Sequence, residues 1–182
     1  MSKRAPAHEA LRAATRANHD RVDALFGGFD IARLEDYRRF LRAHATAFLA
    51  VETALDAIGL ERLVDDWPER RRNALIRADL ESLGEMPPEP AAFPIASDAA
   101  AIGAAYVLEG SRLGGALLAR RVGDGLPKEY LATPLPAGAW RKFLEELDSA
   151  LDEPAMVADA AEAARAVFDR FEAAGREEKG DQ

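Results

Sequence analysis

Residues 97–121, SDAAAIGAAYVLEGSRLGGALLARR, limit what the rest of the chain can build. Ser97 and Asp98 offer side-chain oxygens to the free N–H groups of a first helical turn. Apolar residues then recur at Ile102, Tyr106, Leu113, Leu117 and Leu118. Glycines interrupt them at 103, 110, 114 and 115. Each weakens a helix interior by about 1 kcal/mol relative to alanine, so bare backbone must serve some other purpose there. Gly103, Gly110 and Gly114, spaced seven and four apart, share one face. Such a stripe suits either close packing of a second helix or the approach of a flat ligand. The adjacent Gly114 and Gly115 form a candidate kink.

The rest of the chain reads as helices that need partners. Helical periodicity predicts segments over 7–26, 34–58, 69–83, 97–121 and 139–151, with a last helix opening at Pro154. Gly27-Gly28, Gly59, Gly84 with the PPEP run at 87–90, and the 123–136 stretch with its Gly and Pro residues punctuate them. Gly175 is expected to end the last helix and leave 175–182 as a polar tail. No segment alternates as a strand bounded by hairpin turns. The expectation is an all-α single domain over 1–182, with its ordered core at 7–174.

Composition narrows the chemistry. A net charge of −8 argues against nonspecific binding to nucleic acid or to anionic membrane. No cysteine is present, which excludes disulfides, thiolate zinc sites and iron–sulfur ligation and suits the cytoplasm. The opening MSKRAPAHEALR has basic residues without the apolar stretch of a secretory signal. The longest apolar run, 99–108, is too short for a membrane span of about 20 residues. Paired E-x-x-H motifs, HExxH and a P-loop are all absent. Ser111 lies near Glu109, without a nucleophile elbow or a nearby histidine. Arg70, Arg71, Arg72 and Arg77 read as a solvated basic face, and with Arg120 and Arg121 as places where an acidic protein could dock.

Of the three histidines, His8 is expected to be solvated beside Glu9. His44 falls on an apolar face with Tyr37, Leu41, Phe48 and Val51, as a partly buried histidine with a local hydrogen-bond partner. His19 is different. Asp23 follows it by four residues, on the same side of the helix. A carboxylate there can accept one imidazole N–H and leave the other nitrogen as a metal ligand. Arg12, seven residues earlier on the same stripe, can meet an anionic group of a large ligand. An exposed His–Asp helix pair with no ligand is the other reading.

Two motifs occur in order: L-R-x-A-T-R-x-x-H-x-x-x-D over 11–23 and Y-V-L-E-G-S-R-L-G-G over 106–115. Together they resemble the biliverdin-producing heme oxygenases in their bacterial branch, and the likeness in helix order extends over about 7–174. The resemblance implies an all-α, multi-helix bundle of the heme oxygenase type. It implies an enzyme for which heme is both substrate and cofactor, opened with dioxygen and external electrons to biliverdin, carbon monoxide and ferrous iron. His19 would ligate the iron and Asp23 would orient it. Arg12 and Tyr106 would meet a propionate. Gly110, Ser111, Gly114 and Gly115 would lie on the distal helix over the oxygen site. The distal aspartate of the animal enzymes is replaced here by Ser111, a departure shared by the bacterial branch. The implied partners are an electron donor such as a ferredoxin or flavoprotein reductase and, if bilin is the useful product, a bilin-accepting photoreceptor. No nucleic acid or membrane is implied. A heme-binding protein for transfer or sensing, on the same fold but without turnover, is the alternative.

Overall fold

The structure, a computed structural model, describes residues 6–180. Helix α1 spans Ala7–Phe26 and α2 spans Leu34–Ala57. A 3-10 turn at Leu60–Arg62 leads to α3, Trp67–Arg70, and α4, Asn73–Ser82. The glycine helix is α5, Asp98–Leu118. Three more follow: α6, Glu129–Ala132; α7, Ala139–Ala150; and α8, Pro154–Lys179. No strand occurs among the described residues. No helix of these residues is long and apolar enough to cross a membrane.

Burial explains the arrangement. Tyr37, Phe40, Leu41, Phe48, Leu49 and Val51 make α2 apolar on nearly every side, and the alanines at 43, 45 and 47 let its neighbours approach closely. α8 packs against α1, α2 and α5, whereas α1 and α5 share no substantial contact with each other. The two helices are therefore both seated on α8, without close backbone packing against each other. Their ends are tied at one side of the molecule, where the Gly123 N–H donates to the Ile31 carbonyl at 3.3 Å. This link joins the segment after α1 to the segment after α5 and so brings the C-terminal ends of the two helices to one side.

Local starts and stops follow ordinary chemistry. Ser97 caps α5 by accepting the Ala100 N–H at 3.1 Å. Pro6 has no side-chain acceptor for α1, and Asp148 of α7 does that work instead. Its carboxylate takes the His8 N–H at 2.8 Å and faces the His8 ring Nδ1 at 2.6 Å. His8 is thus half-buried and bound to a carboxylate, not solvated.

Three expectations are corrected. The helix over 69–83 is two helices, because Arg71 is extended (ψ 142°) and buried Glu52 of α2 accepts the N–H groups of Arg72 and Asn73 at 2.7–3.0 Å. A short helix, α6, stands in the expected loop, started by Asp79, whose carboxylate takes the N–H groups of Glu129 and Tyr130 at 3.2 and 2.9 Å. Gly175 does not stop α8. A Cβ there would lie 2.7 Å from Leu25 Cδ2 and 3.1 Å from the Phe26 ring, so glycine serves packing against α1. The helix continues to Lys179, held where Arg42 Nε and Nη2 donate to the Glu178 carboxylate at 2.9 and 2.7 Å, and ends at Gly180 with φ 77°. Residues 181–182 of the expected tail lie outside the described residues.

Candidate active site

The glycines on the shared face of α5 meet three different surroundings. At Gly103, an added Cβ would lie 2.0 Å from the Ala160 carbonyl oxygen, so α8 crosses α5 there in direct backbone contact. Two turns on, the one atom of another element among the described residues within 4 Å of a Cβ at Gly110 is Trp140 Cη2, at 3.7 Å. One turn further, Gly114 has nothing within 4 Å. The space beside α5 therefore widens from a sealed crossing into an open cleft. Leu113 and Leu117 continue the open stripe, 53% and 64% exposed. Large apolar side chains at that exposure, beside bare backbone, mark a face made to be covered. Gly115, expected on the same ligand face, points elsewhere. It is buried, and a Cβ there would lie 3.1 Å from the Leu131 carbonyl oxygen. α5 is helical through Gly114 and Gly115.

α1 forms the opposing wall. The His19 side chain is 56% exposed, with Nδ1 3.3 Å from Asp23 Oδ2. Its ring meets Phe168 of α8 edge-on, with centroids 5.9 Å apart. Arg12, two turns earlier on α1, lies close enough to Tyr106 for its charge to act on the phenol. Burial pushes the Tyr106 hydroxyl up from its ordinary pKa, and Arg12 draws it partly back. This pairs Arg12 with Tyr106 across the gap. Arg12 acts on Tyr106, and the segments beyond the two helices meet at Ile31 and Gly123, so His19 and Gly114 each lie about two turns from the Arg12–Tyr106 pair toward that junction. The cleft thus has an imidazole on one side, side-chain-free backbone on the other, and a cation with a phenol at one end.

Ser111 stands outside this arrangement. Its hydroxyl donates its single hydrogen to the Leu108 carbonyl at 2.6 Å and accepts from Arg72 Nη2 at 2.8 Å. In this arrangement its hydroxyl proton is committed to the Leu108 carbonyl. Arg72 is the unforeseen element. Its guanidinium also donates to the Leu108 carbonyl at 2.7 Å and lies over the rings of Phe48 and Tyr130. Burial lowers its pKa below the ordinary arginine value.

The expected solvated basic face is corrected with it. Arg70 and Arg72 are only 3% and 2% exposed. Arg70 Nη1 donates to Glu109 Oε2 at 2.7 Å, and Arg112 Nε donates to Glu109 Oε1 at 3.2 Å. These partners lie on α5, far along the chain, so no local pattern announced them. Arg71, Arg120 and Arg121 remain exposed. His44 is where the sequence placed it, in the core, with Nδ1 3.2 Å from the Tyr130 hydroxyl oxygen. Trp140 and Phe168 are the cleft residues that sequence reasoning missed. Both come from helices whose place beside α5 and α1 is a tertiary fact, and each reads locally as ordinary apolar periodicity.

No family model matches the sequence. A curated protein, the heme oxygenase of Xanthomonas campestris pv. campestris (strain 8004), is 35% identical over 144 residues, covering 75% of this chain and 87% of that protein. Among solved structures, the NO- and CO-bound heme oxygenase from Neisseria meningitidis is similar with a TM-score of 0.85 and 29% identity. That match covers 97% of this chain and 94% of that one.

Proposed function

The chain belongs to the heme oxygenase family, and from that premise we propose that it binds heme in the cleft between α1 and α5. There, with dioxygen and external electrons, it opens the ring to biliverdin, carbon monoxide and ferrous iron. The observation that carries this reading is the bare backbone of Gly114, where an added Cβ would meet nothing among the described residues within 4 Å, on a helix whose Tyr106 feels Arg12 of the helix that carries exposed His19.

The residues present fit heme, a broad apolar disc with an iron at its centre and two carboxylates on one edge. His19 offers Nε2 to the iron, since Nδ1 faces Asp23. Phe168 limits the ring's rotation from the α8 side. Arg12 and Tyr106 present a cation and a hydroxyl to a propionate. Gly110 and Gly114 let the macrocycle lie against main chain, and Leu113 and Leu117 lose exposed apolar area when it binds. Bound heme supplies the redox chemistry and is itself the molecule oxidised. The protein therefore needs no separate acid–base pair. Its work is to ligate, orient and exclude bulk water.

Ser111 and Arg72 act from behind α5. Together they hold the Leu108 carbonyl and fix the helix segment that carries Gly110. Gly115 sets the seat of α5 on α6. Arg120 and Arg121 lie just past the end of α5 and form the proposed contact for an acidic electron donor such as a ferredoxin or a flavoprotein. We place the reaction in the cytoplasm, with iron release or bilin supply to a photoreceptor as its use.

The test is to titrate purified protein with hemin and then add a reductant and air. A stoichiometric Soret band that decays into a bilin spectrum is expected. Stable oxygenated heme without ring opening would instead identify a heme carrier. His19→Ala is expected to abolish the native axial ligation and turnover while changing stability by no more than about 0.5 kcal/mol, as for an exposed helix position. Wild-type spectra and turnover in that variant would remove His19 from its role.

A further inference from the structure

Along the bare face of α5, an added Cβ at Gly114 would meet nothing among the described residues within 4 Å, and one at Gly110 would touch the edge of a single side chain, Trp140 Cη2, at 3.7 Å. This tryptophan is the second residue of α7, and the chain turns into that helix through Gly138, with φ 81°. The indole is flanked on two sides. Its centroid lies 5.9 Å from that of Tyr106, inclined at 32°, and 5.9 Å from that of buried Phe143, nearly parallel at 23°. Phe143 is held in turn under the Arg70 guanidinium, 5.6 Å from its centroid. A half-buried ring between two aromatic neighbours has little freedom to swing away.

We propose that the Trp140 indole is the end wall of the cleft and a specificity-determining residue: by limiting how the macrocycle turns in its own plane, it selects which meso bridge is opened. The inference rests on the heme reading above. Three observations support it. Trp140 Cη2 is the one atom facing the bare backbone of Gly110, so a planar ligand lying along α5 meets the indole edge there. Tyr106, in contact with Trp140, is also the residue that feels Arg12, so wall and propionate anchor share one end of the cleft. One turn beyond Gly110, a Cβ at Gly114 would meet nothing among the described residues within 4 Å, and Leu117 is exposed. An anchor at the carboxylate edge alone leaves a disc free to pivot. A rigid aromatic face beside that anchor removes one direction of the pivot.

The experiment uses the full chain with hemin, comparing wild type, Trp140→Phe and Trp140→Ala. Soret titration gives affinity, and proton NMR of the ferric cyanide complex gives the ratio of heme orientations. Chromatography of the turnover product gives the biliverdin isomers. Wild type is expected to show one dominant orientation and one dominant isomer. Trp140→Phe should stay close to it. Trp140→Ala should raise the minor orientation and the minor isomer by about tenfold, the discrimination that one apolar contact supplies. If Trp140→Ala loses its helical signal, Trp140→Leu takes its place on the same criteria. A truncated variant that binds hemin with the wild-type orientation ratio and isomer pattern overturns the proposal. If wild type binds hemin without opening the ring, the enzyme reading fails and the selection of a meso bridge falls with it, while a shifted NMR ratio in Trp140→Ala still supports Trp140 as the wall that sets how heme seats and an unchanged ratio overturns that too. If wild type binds no hemin, both fall.

Discussion

The two ends of one glycine stripe differ more than any sequence pattern can tell. At Gly103 the missing side chain admits the backbone of α8, and at Gly114 it admits nothing that the described residues supply. The first glycine belongs to the packed interior, with half-buried His44 and the Arg72–Ser111–Leu108 network. The second belongs to the open cleft, with His19, Asp23 and Arg12. The same residue type on the same helix face is a structural necessity at one end and a ligand surface at the other. Whether a neighbouring helix crosses there decides which. This contrast predicts that changes at the packed end act on stability, and changes at the open end act on ligand binding.

The largest expected effect is on pH dependence and belongs to His44 of the packed region. Burial, with repulsion from Arg72, lowers His44 from its ordinary 6.5 to about 3. Its ring is enclosed by Phe26, Phe40, Tyr130 and Phe171, with no carboxylate among them. Between those two pH values the unfolded imidazole holds a proton and the folded one does not, so stability is present above about 6.5 and lost as pH falls toward 3. Across the whole window this amounts to roughly 4–5 kcal/mol. Denaturant unfolding from pH 7 to 4 should show a shallower acid limb in His44→Phe than in wild type. Parallel acid limbs would place His44 outside the packed region's energetics.

The glycine contrast comes next. Gly103→Ala drives a methyl group into the Ala160 backbone and should destabilise the protein by about 3 kcal/mol. Gly114→Ala meets open space and should stabilise by up to about 1 kcal/mol, since alanine is the better helix former. The order should invert for hemin affinity, where only the Gly114 change intrudes on the cleft. Equal stability losses in the two variants would break the comparison.

Ser111→Ala tests which region the hydroxyl belongs to. It removes a hydrogen bond from buried Arg72, whose Nε already has no partner, and should lower stability by about 1–2 kcal/mol. Unchanged stability with a markedly altered heme spectrum would return Ser111 to the ligand side. The smallest stability effect is expected for Asp23→Asn. Both partners are exposed, so unfolding should shift by no more than about 0.5 kcal/mol. Hemin affinity should fall about tenfold, as for a lost orienting partner of a metal ligand.

Much of the fold was legible because it depends on local pattern. Periodicity and punctuation placed α1, α2, α5 and α7 to within a few residues at each end. The misreadings share one cause: a partner distant in sequence. Arg70 and Arg72 look like solvent-facing charges until Glu109 and the Leu108 carbonyl are brought to them. Gly175 looks like a terminator until Leu25 and Phe26 are packed on it. The candidate site divides in the same way. His19 and Asp23 were readable because four residues on a helix is a spatial statement. Gly110 and Gly114 could be named, but nothing local distinguished them from Gly103. Trp140 and Phe168 carried no signal, because their place beside α5 and α1 is fixed by the assembly of helices rather than by their own segments.

The most direct measurement is a crystal structure of the hemin complex. The expected result is iron bound to His19 Nε2, with the macrocycle lying against the Gly110 and Gly114 backbone and a propionate at Arg12 and Tyr106. A porphyrin held elsewhere, or iron ligated by another residue while His19 faces solvent, contradicts it.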